Sequence, residues 1–171
     1  MVIEQIIGSL KDIKIANRKV ELVQIEWFEA NKRIQRRTTN EGTDVAIRFL
    51  KEGQRLHQDD VIYMDENKII VIDILPCDAI EVAPHTMLEM GSVCYEIGNK
   101  HLPVFIQDDV VLIPYEEPIF KWLVATGYHT HKVHTKLLNI VNASVQPHSH
   151  NHSHSHGEGS SIFSKIMGLG K

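Results

Sequence analysis

Cysteine is nearly absent. Cys77 and Cys94 are the whole complement, they lie 17 positions apart, and they form no CxxC pair. That excludes a disulfide framework and predicts buried free thiols of a reducing compartment. Long apolar runs are absent too: none approaches the roughly 18 residues a spanning helix needs, so no membrane partner is expected. The first residues, Met1-Val2-Ile3-Glu4-Gln5, carry no basic leader, and Glu4 breaks their apolar stretch. A cytoplasmic location is the expectation. Excess positive charge is lacking as well. The net charge is −4, and residues 1–75 hold 12 basic and 13 acidic side chains, which argues against nucleic acid as a partner.

Two residue types are missing from one half only. All six prolines fall at position 76 or later, and of eleven histidines only His57 precedes residue 76. The two parts therefore do different chemistry. With 171 residues, 43% of them hydrophobic, the chain suffices for one ordinary domain or two small ones.

Residues 1–75 read as a small all-β domain. Val20–Trp27 is rich in β-branched and aromatic residues. Stretches 33–39 and 43–50 flank the turn signal Asn40-Glu41-Gly42, and stretches 61–64 and 68–75 flank Asp65-Glu66-Asn67. Residues 76–141 change character. Ala79–Ala83 reads as a strand, and Thr86–Ile97 as a helix with Met87, Met90, Val93/Cys94 and Ile97 at helical spacing. Thr86 and Glu89 form a capping box at its start, and Gly98 is placed for a left-handed cap at its end. A hairpin around Asp108-Asp109, a helix over 116–126 closed by Gly127, and a strand over 128–133 follow. The order β-α-β-β-α-β is the ferredoxin-like plan, so the fold class is α+β. Residues 142–171 are polar and repetitive, a flexible His-rich tail that ends in the short apolar patch 161–167.

The tail holds the clearest chemistry. His148, His150, His152, His154 and His156 alternate with small polar residues and have no apolar face to bury. Imidazole suits nickel, copper and zinc, and several rings on one mobile chain retain an ion by effective concentration. A purification tag is a poor reading, because the tract is interrupted and 15 more residues follow it. Such ligation requires neutral imidazole, so metal binding is expected to weaken as pH falls through about 6.5.

His101 sits just past a helix end, where a lone histidine is more often a cap or a surface residue. The run Gly98-Asn99-Lys100-His101 after Cys94-Tyr95-Glu96-Ile97 nevertheless resembles the G-N-[RK]-H signature of the urease accessory UreE family. The resemblance extends through Glu26-Trp27, Asp44-Val45-Ala46-Ile47 and the helix start at Met87–Glu89, covering roughly residues 1–127. It implies a homodimer in which His101 of each copy meets its mate across a two-fold axis to hold one metal ion. It also implies an N-terminal domain resembling a peptide-binding module, and delivery of Ni(II) as cargo to apo-urease with the other urease accessory proteins. Zn(II) and Cu(II) are further expected ions, since affinity order alone does not favour nickel. Some relatives carry an internal histidine pair about 15 residues later. Here the region reads Pro114-Tyr115-Glu116-Glu117, so that site is missing or carboxylate-based.

His129 and His131 point to one face if their segment is a strand, with His134 nearby, and they are secondary ligand candidates. Lys32-Arg33 and Arg36-Arg37 form a solvated face or a partner-docking surface. An enzyme is not expected. No H-E-x-x-H motif, serine elbow, phosphate loop or dinucleotide fingerprint is present, and a mobile tail cannot hold catalytic geometry. The competing reading is a metal store or buffer that uses the tail alone.

Overall fold

A computed structural model describes residues 1–50 and 53–141. The tail histidines His148 to His156 lie outside these described residues. In chain order the elements are β1 (Val2–Ile3), β2 (Gly8–Ser9), β3 (Lys19–Ile25), a 3-10 turn (Trp27–Glu29), β4 (Ile34–Thr38), β5 (Asp44–Arg48), β6 (Asp60–Met64) and β7 (Lys68–Ile74). They continue as β8 (Cys77–Val82), α1 (Met87–Asn99), β9 (Phe105–Gln107), β10 (Val110–Pro114), α2 (Glu117–Ala125) and β11 (Thr130–Thr135).

The N-terminal half is all-β, as the residue pattern predicts. One sheet runs β1-β5-β4 and the other β2-β6-β7-β3. Their inner faces enclose Ile3, Val23, Ile25, Val45, Ile47, Ile70 and Ile72. Strand β7 reads Lys68-Ile-Ile-Val-Ile-Asp-Ile74 because it is buried on both sides. Ile70 and Ile72 face the main core, while Ile69 and Val71 face a second cluster with Leu10 and Ile13. A continuous rather than alternating apolar run is what burial of both faces requires. The hairpin β4–β5 closes through Asn40-Glu41-Gly42, with Gly42 at φ +86°, a left-handed position that favours glycine.

The C-terminal half has sheet order β11-β8-β10-β9, antiparallel throughout, which is the ferredoxin-like arrangement. Both helices cover one face, where Ile80, Val82, Val93, Ile97, Val111, Ile113 and Leu123 form the core. The other face carries Ala79, Phe105 and Leu112 and meets Trp27 of the N-terminal half. Trp27 packs edge-on to Phe105 at 5.5 Å between centroids, and Lys136 Nζ reaches Asp73 at 2.5 Å. The short turn that carries Trp27 thus helps to join the two halves.

That turn is held by charge. The Glu29 carboxylate accepts from the backbone N–H of Glu26 at 3.2 Å and from Lys32 at 3.0 Å, and pairs with Arg37. Burial opposes its ionisation, but the hydrogen bonds from Arg37 and Lys32 outweigh it and pull its pKa from 4.5 to about 2. A depressed carboxyl pKa stabilises the fold above its unfolded value and ceases to do so as pH falls through the folded value. Glu29→Gln is therefore expected to lower stability by about 2 kcal/mol at pH 7, after allowance for partial solvent screening. Denaturant melts at stepped pH should show that deficit shrinking below pH 4.5 and vanishing near 2.

Candidate metal centre

Helix α1 leads to the site. Its start is fixed by Thr86, whose Oγ1 accepts from Glu89 N at 3.1 Å, and by Glu89, whose carboxylate accepts from His85 N at 2.8 Å. Val93 and Ile97 bury its inner face. Its outer face is apolar but uncovered: Met87 is 85% exposed, Leu88 82% and Tyr95 71%. Leu88, Gly91, Tyr95 and Gly98 follow one another at spacings of three, four and three, which makes one stripe along the helix. A Cβ added at Gly91 or Gly98 would meet nothing within 4 Å.

The helix ends differently from the sequence reading. Gly98 remains helical, and the left-handed residue is His101, at φ +58°. Lys100 is the C-cap. His101 N donates to Gly98 O at 2.9 Å, and Leu102 N to Ile97 O at 3.5 Å. Leu102 packs into the same core cluster as Ile97. This is the Schellman pattern with its apolar contact, shifted three residues beyond the glycine because Leu102 is the first apolar residue able to close it. Glycine normally takes the left-handed position, and a non-glycine residue there is strained by roughly 1 kcal/mol or more.

His101 is exposed, and its imidazole makes no hydrogen bond with any other described residue. The backbone beneath it is firmly placed: Lys100 lays its ammonium 4.3 Å from the Trp122 ring centroid of α2, and Leu102 anchors the other side. An open imidazole on a rigid, locally strained turn suits exchangeable metal binding.

The remaining candidates separate. Glu117 is taken by Tyr115 Oη at 2.5 Å and Lys121 at 3.0 Å, and Tyr115 also lies under Lys132. That region forms an ion-pair surface. His129 and His131 do come together, Nε2 to Nε2 at 3.1 Å, while His134 lies on the opposite face and pairs with Asp78 at 3.0 Å. His85, which the sequence reading passed over, stacks on His129 with centroids 5.9 Å apart. Burial pushes both cysteine thiols up, and they sit on opposite faces of the C-terminal sheet, so neither is poised as a thiolate. Among the described residues, no three His, Cys, Asp or Glu side chains converge on one metal position. No described helix is long and apolar enough to cross a membrane.

Comparison with known proteins decides the family. Residues 3–75 match the model described as UreE urease accessory protein, N-terminal domain, and residues 77–161 match its C-terminal domain. The chain belongs to the UreE family of urease accessory proteins. It is 62% identical to the urease accessory protein UreE of Flavobacterium johnsoniae over the full length of both chains. Identity to the UreE of Haemophilus influenzae strain PittEE is 46%, covering 86% of this chain and 82% of that one. Identity to the UreE of Acetivibrio thermocellus is 38%, covering 87% and 97%. In this UreE-family chain the signature residues 98–101 are the Schellman turn itself. That run is therefore a piece of backbone geometry, with His101 at its left-handed position.

Proposed function

We propose that this UreE-family chain is a nickel metallochaperone, a non-enzymatic carrier that donates Ni(II) during urease assembly in the cytoplasm. The observation that carries the reading is His101, an exposed imidazole with no hydrogen-bond partner among the described residues, held at a left-handed position at the end of the exposed stripe of α1. That stripe is the docking face for a second copy, since exposed contiguous apolar surface marks an interaction site. Pairing about a two-fold axis along α1 brings the two His101 side chains together, and two imidazoles with open positions hold an ion that can be passed on. The three segments then divide the work. Residues 1–75 recognise apo-urease or another accessory protein, with Lys32, Arg33, Arg36 and Arg37 as a docking surface. Residues 76–141 hold the shared ion, and the imidazoles His148 to His156 in 142–171 act as a reservoir.

The test is activation of apo-urease by the nickel-loaded full chain in the presence of a chelator that sequesters free nickel. Wild-type chain is expected to activate, the chain with all five tail histidines replaced to activate partly, and His101→Ala to fail. If His101→Ala activates fully and the tail variant not at all, the store reading replaces the carrier reading.

A further inference from the structure

The His129–His131 pair has a geometry that the shared site does not use. Ala83 N donates to His129 O at 3.0 Å, and Thr130 to Thr135 pair along β8, so both histidines stand on a fixed ladder. Their Nε2 atoms are 3.1 Å apart with ring planes nearly perpendicular, at 84°. Two nitrogens bound to one ion at about 2.0–2.1 Å lie roughly 2.9 Å apart at a right angle and roughly 3.4 Å apart in a tetrahedron. The observed separation falls between these values. The gap that a ring-to-ring hydrogen bond spans is also the gap a metal ion fills.

The surroundings fit a cation. His85 stacks on His129 at an interplanar angle of 22°, and its backbone is held by Glu89 in the cap of α1. Glu81 stands directly opposite His131 in the strand register and places a carboxylate on the same face. All three imidazoles are exposed, so an ion reaches them directly from solvent.

We infer that His129 and His131 form a second, intrinsic binding site on each chain for a late first-row divalent ion, separate from His101 and from the tail. The pair supplies two nitrogen ligands, His85 fixes the His129 ring, and the remaining positions stay with water or an incoming donor. As the ion enters, the ring that donates through Nε2–H carries its proton on Nδ1 instead, so both Nε2 lone pairs face the ion. Imidazole chemistry selects nickel, copper or zinc over magnesium and calcium.

The test uses the full chain with His101, His148, His150, His152, His154 and His156 all replaced by alanine, titrated with Cu(II) and separately with Ni(II). One ion per chain is expected, with nitrogen hyperfine structure from two imidazoles in the Cu(II) spin-resonance spectrum. Adding His129→Ala or His131→Ala should weaken binding by more than the roughly 10–100-fold that follows loss of a supporting hydrogen-bond partner. His85→Ala should weaken it less, and His57→Ala and His134→Ala not at all. Absence of binding in the parent, or binding indifferent to His129→Ala and His131→Ala, overturns the site. Because this parent already lacks His101 and the tail ligands, the result stands apart from success or failure of the carrier reading.

Discussion

Replacing His101 by glycine is expected to abolish the tightest nickel step and at the same time make the chain more stable than His101→Ala. Both variants remove the imidazole, so both lose the shared ion. They differ in backbone, because position 101 sits at φ +58° and closes the Schellman turn with Leu102. Alanine retains the left-handed strain and glycine relieves it, a difference of about 1 kcal/mol. For a chain of this size that separates the two melting temperatures by about 2–4 °C. Calorimetry gives the binding step and thermal unfolding the stability. Equal melting temperatures would show that the turn is not strained, and retained tight binding in either variant would remove His101 from the site.

The second large effect concerns the outer face of α1. Leu88→Asp combined with Tyr95→Lys places two charges on the stripe proposed to meet a second copy. Both side chains are exposed, Leu88 at 82% and Tyr95 at 71%, so the fold should survive unchanged by circular dichroism. If each is a central contact worth about 2 kcal/mol, the pair raises the dimer dissociation constant by roughly 1000-fold. Light scattering should then report half the mass. The tight nickel step should disappear with the dimer although His101 is intact. A monomeric variant that still binds tightly would mean that one chain completes the site by itself.

Much of the fold is legible in the residues. The unbroken apolar run of β7 announces a strand buried on both faces, and the Thr86–Glu89 pair marks the start of α1. Asp108 and Asp109 both adopt positive φ, as a two-residue hairpin demands. The strands β1 and β2 were not legible. Each has two residues, too few to show a period, and β1 pairs with β5 more than forty positions away, Val2 opposite Ala46. The sequence predicts the left-handed end of α1 at Gly98 because glycine is the usual left-handed residue, whereas the structure puts it at His101. The signal that decides it is the apolar Leu102, which must reach the core beside Ile97. The place of His85 is not legible in the sequence for a related reason. Nothing near it in sequence is a histidine, and only the pairing of β8 with β11 brings it to His129.

A carrier of this kind holds one ion between two copies of His101, and stoichiometry tests that sharing most directly. Nickel is titrated into the full chain with the five tail histidines replaced, with the molecular mass followed by light scattering. The tightest step should saturate at half an ion per chain on a species of twice the chain mass, before any weaker step of one ion per chain begins. A tightest step that saturates at one ion per chain, or one that persists on a monomer, contradicts it.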